Sequence, residues 1–187
     1  MSIGGIIFVL VLVGLVVALV ATYNRLVSLR QRSEEAWSDI DVQLKRRTDL
    51  VPNLVETVKG YAGHERTTLD QVTRARGAAV AAQTPEARAQ AENVLTGALR
   101  QLFALAEAYP DLKANEHFRE LQGSLGEIEE TIQNSRRYYN AVVRDFNTTI
   151  DSFPSNFVAS FFRFVKRAYF ELDRPEERQV PRVSFGS

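Results

Sequence analysis

Two histidines, no cysteine and scattered carboxylates are the material this chain offers for chemistry. A carboxylate-bridged metal site in a helical bundle needs Glu-x-x-His pairs aimed inward, and neither His64 nor His117 has a Glu three residues before it. His64-Glu65 runs on into Arg66-Thr67-Thr68 and so does not complete H-E-x-x-H. Gly123-Ser124-Leu125-Gly126 lacks the spacing of a nucleophile elbow or a phosphate loop. The lack of Cys removes disulfides, thiolate metal sites, Cys nucleophiles and a lipid-modified Cys together. The residues therefore predict no catalytic group, no cofactor and no metal, and the chain reads as a non-enzyme.

What stands out instead is polar content on or near helix seams: Arg47, Asp49 and Asn53 early in the chain, and Arg136, Asn140 and Asn147 late in it. Arg47 falls on a seam by the register given below. A buried cation is costly unless paired, so it should find a carboxylate or carbonyl, with Glu56, Glu107 and Glu129 as candidates. Two readings stay open. The cluster fixes helix register, as polar groups in coiled-coil cores do, or it receives a small anionic ligand or a peptide near Pro52.

The elements that must position these residues are helices. From Ile3 to Ala21 the chain reads IGGIIFVLVLVGLVVALVA, with no charge before Arg25. About 20 apolar residues are needed to cross the hydrocarbon core. A cleaved signal peptide would need a positive n-region and a shorter apolar stretch, which favours an uncleaved anchor in a single-pass protein. Arg25, Arg30 and Arg32 follow the span, so the positive-inside rule places the large domain in the cytoplasm. Gly14, Ala18 and Thr22 form a small-xxx-small face suited to helix packing.

Beyond the span, Leu26, Leu29, Ser33, Trp37, Ile40, Leu44, Arg47, Val51, Leu54, Val58 and Tyr61 alternate at three- and four-residue steps, a heptad-like seam. The same steps run from Phe118 through Leu121, Leu125, Ile128, Ile132, Ser135, Tyr139, Val142, Phe146 and Thr149 to Phe153. Between them, Leu95, Leu99, Leu102 and Ala106 form a stripe after an interruption at Thr84-Pro85-Glu86, an N-cap with Pro at the first helical position. The spacing predicts an all-α fold: a transmembrane helix continuing into a long antiparallel three- to four-helix bundle. The anchor occupies residues 1–23 and the bundle domain 24–172. Helices are expected over about 24–60, 64–109 with a break near 83–85, 114–152 and 155–170, and residues 173–187 form an irregular tail. The three long helices would run away from the membrane, back, and away again. Pro52 is expected to kink or restart the first of them.

The stretch after Pro154 is rich in Phe. Phe157, Phe161, Phe164 and Val165 would share one helix face, with Arg163, Lys166 and Arg167 on another. Such a helix either meets a membrane surface or packs its aromatics on the bundle or a second copy. An away-back-away path leaves it far from the chain's own membrane, which favours packing and makes these four residues the expected assembly surface.

The run from Ala36-Trp37-Ser38-Asp39-Ile40-Asp41 through Asp49-Leu50-Val51-Pro52-Asn53-Leu54-Val55 resembles the signature of the bacterial LemA family. So do Gly60-Tyr61, His64-Glu65, Ala114-Asn115, Leu121-Gln122, Arg136-Arg137-Tyr138-Tyr139-Asn140, Phe146-Asn147, Phe153-Pro154 and Tyr169-Phe170-Glu171. The resemblance implies a helical bundle behind an N-terminal membrane segment, with no catalytic residue to carry over. Some relatives end that segment in a lipid-modified Cys, absent here at Ala21-Thr22-Tyr23. Thr48 stands where relatives often have His, which argues against a metal-binding turn.

Charges balance at 23 basic against 23 acidic residues, so no global field draws the chain to nucleic acid. The expected partners are the bilayer through residues 3–21, a second copy in a homo-oligomer, and other membrane proteins. The expected function is a membrane-anchored, non-enzymatic helical scaffold. The alternatives are a sensor or carrier for a small anionic ligand or peptide, and an accessory factor for a membrane protease.

Overall fold

The computed structural model describes residues 2–171; the tail expected over 173–187 lies outside them. The described residues are all-α with no strand. In chain order the helices are α1 (Ile3–Ala62), α2 (Arg66–Ala81), α3 (Pro85–Ala106), α4 (Pro110–Ala114), α5 (Glu116–Asp151) and α6 (Ser155–Phe161). They form two compact units. Of the described residues, one unit contains 2–47 and 125–169, the other 48–124 and 170–171.

α1 is one uninterrupted helix from the apolar run into the domain. Its first part is exposed almost throughout, whereas from Leu26 on it buries the expected seam: Leu26, Ser33, Ile40, Leu44, Arg47, Val51, Leu54 and Val58. At two points the register departs from the expected one. Ala36 is buried and Trp37 only half so, and Ala62 is buried in place of Tyr61.

Pro52 neither ends α1 nor restarts it. A proline within a helix removes the N–H that would bond to the carbonyl four residues back, here Thr48. Arg76 of α2 makes up for the loss, its Nε donating to the Thr48 carbonyl at 2.7 Å. A buried carbonyl left without a donor would be destabilising, so this bond is the local reason the helix tolerates its proline.

In the unit formed by Thr48–Ser124, the interruption near 83–85 is a full reversal rather than a break in one helix. Thr84 accepts the Ala87 N–H at 3.2 Å as N-cap, Pro85 opens α3, and α2 packs on α3. Leu69, Val72, Ala75 and Ala79 of α2 are buried, as are Leu95, Leu99, Leu102 and Ala106 of α3. The expected single stretch over 64–109 is thus a hairpin. Asn115 then caps α5, its Oδ1 accepting the Phe118 N–H at 2.9 Å while its Nδ2 donates to the Tyr61 hydroxyl at 3.0 Å.

This extra reversal corrects the expected away-back-away path. In the other unit, Leu26 packs with Phe146, the Trp37 ring lies 5.7 Å from that of Tyr139, and Arg47 meets Glu129 at 3.0 Å. Residue numbers fall along α5 as they rise along α1, so this part of α5 runs antiparallel to α1, toward the apolar run, and delivers α6 beside it.

The helix expected over 155–170 ends at Phe161. Arg163 has a φ of 57°, a left-handed conformation that stops a helix of L-residues, and the chain leaves helical structure from there to Phe170. Side chains of α5 supply the backbone bonds a helix would have made. Asn147 donates through Nδ2 to the Arg167 carbonyl and accepts the Arg167 N–H through Oδ1, both at 2.9 Å. The Tyr139 hydroxyl donates to the Ala168 carbonyl at 3.0 Å. Backbone groups need partners, and α5 offers them.

Candidate membrane-proximal site

The exposed apolar run of α1 meets α6, which lies against it. Ser155 fixes the turn out of α5, its hydroxyl lying 2.6 Å from the Thr149 carbonyl and 2.9 Å from that of Ser152. Ala159 then packs on Leu26 and Phe146, with Leu29, Ile150, Val158 and Phe164 around them. Tyr23 ties α1 to the residues just after α6, its ring 4.7 Å from Phe162 and 5.9 Å from Phe164. The Arg30 guanidinium stands 5.7 Å over the Phe164 ring, a cation–π contact. Arg167 pairs with Glu34, and Lys166 with Asp151 at 2.7 Å.

The four residues expected to share an assembly face are therefore divided. Phe164 is half-buried against Leu26 and Phe146, whereas Phe157, Phe161 and Val165 are exposed. The cause is the early end of α6: once Arg163 breaks the helix, the 3.6-residue period no longer applies, and Phe164 turns inward.

The six polar residues are divided between α1, which carries Arg47, Asp49 and Asn53, and α5, which carries Arg136, Asn140 and Asn147. Arg47 is buried and bridged to Glu129, one of its three expected carboxylates. Asn147 is committed to the Arg167 backbone, as above. Arg136 and Asn140 are half-buried on α5, and Asp49 and Asn53 are exposed on α1. The Asn53 carbonyl accepts from the Thr57 hydroxyl at 2.8 Å.

Sequence reasoning missed a second buried ion pair, Arg88–Glu92, at 3.4 Å on α3. Arg88 Nη1 also donates to the Ala79 carbonyl at 2.7 Å, joining α3 to the end of α2. The signal was available: extended backward, the stripe Leu95, Leu99, Leu102 and Ala106 reaches Glu92 and Arg88 at the same helical steps. Among the described residues, no group of three or more His, Asp or Glu could hold a metal ion. His117 is exposed beside Glu120 at 3.6 Å.

Among the described residues, which are all-α, one helix is apolar and long enough to cross a membrane and continues without interruption into a helical domain, which places the chain in the class of membrane-associated helical proteins. Its family is defined more closely by comparison: the model of the LemA family matches residues 36–185, and the chain belongs to that family. Among its relatives, the magnetosome protein MamQ 2 of Paramagnetospirillum magneticum is 25% identical over 192 residues, covering 89% of this chain and 71% of the relative. The magnetosome protein MamQ of Magnetospirillum gryphiswaldense is 23% identical over 188 residues, covering 87% and 69%. Protein LemA of Metamycoplasma hominis is 28% identical over 162 residues, covering 84% and 72%.

Proposed function

We propose that this protein is a non-enzymatic scaffold anchored in the bacterial cell membrane by a single span, which holds a helical domain in a fixed orientation and assembles with other copies or with other membrane proteins. The observation that supports the reading is the unbroken course of α1 from Ile3 to Ala62. A flexible linker would let a domain reorient freely, whereas a helix that begins in lipid and ends in a packed core transmits the orientation of one to the other. Pro52, the expected weak point, is bridged by Arg76.

The polar core residues fit this role. Arg47 is matched by Glu129 across α1 and α5, the arrangement expected of a register-setting pair. The basic residues Arg25, Arg30 and Arg32 after the span favour the cytoplasmic side for the domain, by the positive-inside rule.

Sizing of the full-length protein in mild detergent, combined with amine crosslinking, tests the reading. A defined oligomer, or a stable complex with a second membrane protein, is expected. A monodisperse monomer that crosslinks to nothing in intact membranes would overturn it.

A further inference from the structure

The geometry points to α6, with Phe153 before it and Phe162 and Val165 after it, as a second lipid-contacting element, seated in the leaflet on the domain side of the span. The partner is a lipid surface. The inference rests on the reading of residues 3–21 as a membrane span and goes beyond it, because one helix would suffice for anchoring.

A groove of about 300 Å³ lies between α1 and α6, walled by Leu12, Leu15 and Leu19 on one side and by Pro154, Phe157 and Val158 on the other. On α1 it reaches from Leu12 to Thr22, a length of about 15 Å at the helical rise of 1.5 Å per residue. That is the second half of the apolar run, or roughly one leaflet of a hydrocarbon core about 30 Å thick. α6 thus lies at the depth of the span and not beyond it.

Phe153 is 81% exposed, Phe157 66%, Phe161 80% and Val165 77%. α6 is held from one side, where Ala159 and Val158 meet the Leu26–Phe146 cluster, and among the described residues its other side is left open. Four large apolar side chains left out beside a lipid-facing helix continue the surface that the bilayer already covers. The end of α6 is also compatible with lipid, where backbone groups must find partners within the protein. The Phe162 N–H bonds to the Val158 carbonyl at 3.0 Å, that of Arg163 to Ser160 at 3.2 Å, and that of Phe164 to Ala159 at 2.9 Å.

Arg25 and Arg144 line a neighbouring cleft of about 480 Å³, together with Asp145 and with Phe153 and Pro154. Arg163 and Lys166 are exposed after α6, Lys166 beside Asp151. Cations next to exposed aromatics at the end of an apolar run match the headgroup level, where basic residues and aromatic rings meet lipid.

The chain has no Cys, so single labels can be placed at will. Phe161→Cys, Phe157→Cys, Leu15→Cys and Val80→Cys, each at an exposed position, are labelled with an environment-sensitive fluorophore. The full-length protein is reconstituted in vesicles of phosphatidylcholine and phosphatidylglycerol that contain lipids with a doxyl quencher at a shallow acyl position. Unchanged far-UV circular dichroism establishes that each variant is folded. The proposal predicts quenching at Phe161→Cys and Phe157→Cys comparable to that at Leu15→Cys and several-fold stronger than at Val80→Cys. Strong quenching at Leu15→Cys with both α6 positions no more quenched than Val80→Cys would overturn it while leaving the span in place. Copies that crosslink through Phe161→Cys with no quenching would assign the surface to a second copy and overturn it likewise. A lack of quenching at Leu15→Cys would overturn the span, and the proposal with it.

Discussion

The two units each bury an arginine but answer its charge differently. In the unit that contains the apolar run, Arg47 reaches across from α1 to Glu129 on α5, a carboxylate still 39% exposed. In the hairpin unit, Arg88 and Glu92 lie on the same helix, with Glu92 fully buried, and Arg88 also caps the Ala79 carbonyl across the turn. The first pair can lose its cation and leave a carboxylate that water still reaches, whereas the second cannot. The first bridge links two helices, and the second lies within one helix and keeps a buried charge paired where the chain reverses.

The sharpest way to break this contrast is at Arg88. Arg88→Met takes the guanidinium away from the buried Glu92 carboxylate, and loss of one partner of a buried pair costs about 3–5 kcal/mol. Urea unfolding followed by circular dichroism should register that loss, and the double variant Arg88→Met/Glu92→Leu should recover most of it. A double variant as unstable as the single one would show that the pair is not the cause. Asymmetry is expected at the other pair. Glu129→Leu leaves the buried guanidinium of Arg47 with one fewer acceptor and should cost about 1–3 kcal/mol, whereas Arg47→Met should cost less, because the Glu129 carboxylate it leaves behind is 39% exposed and still reached by water. Equal effects from both would contradict the assignment of Arg47 as the desolvated member.

A comparable loss is expected where α5 holds the segment after α6. Asn147→Ala removes two hydrogen bonds to Arg167, each worth about 0.5–1.5 kcal/mol. Hydrogen exchange at the Arg167 amide should accelerate by at least an order of magnitude, and unchanged exchange would refute the role of Asn147. Smaller still is the contribution of Arg76. Arg76→Leu should cost about 1 kcal/mol in the native chain and less in a Pro52→Ala background, where the substituted residue restores to the helix the backbone N–H that proline removes. Full additivity of the two substitutions would argue against the compensation.

The sequence made the helices legible because their seams repeat at steps that only a helix can bury on one side, and Leu26 through Val58 is the clearest case. It made the connection at Thr84-Pro85 visible as a helix start but not as a reversal, since a cap and a proline mark where a helix begins and say nothing of its direction. Everything downstream inherits that ambiguity: with one reversal uncounted, α5 reads as running away from the membrane, and the aromatic segment with it. Arg163 carries no signal of its left-handed conformation, because a non-glycine residue adopts it under constraint from its surroundings, here the Asn147 and Tyr139 side chains on the following backbone. Arg47 was legible from its seam position, and its partner could be narrowed to three carboxylates. Arg88 and Glu92 were overlooked although they obey the same periodicity as the leucines that follow them.

The scaffold reading depends above all on α1 being one rigid element from membrane to domain. Spin labels at Val20→Cys and Val42→Cys, both exposed on α1, give the most direct measurement by pulsed electron resonance in reconstituted vesicles. Twenty-two helical steps separate them, about 33 Å at 1.5 Å per residue. A single narrow distance distribution near that value, unchanged between detergent and lipid, is expected. A broad distribution, or a shorter mean in lipid, would place a hinge between anchor and domain and contradict the scaffold reading.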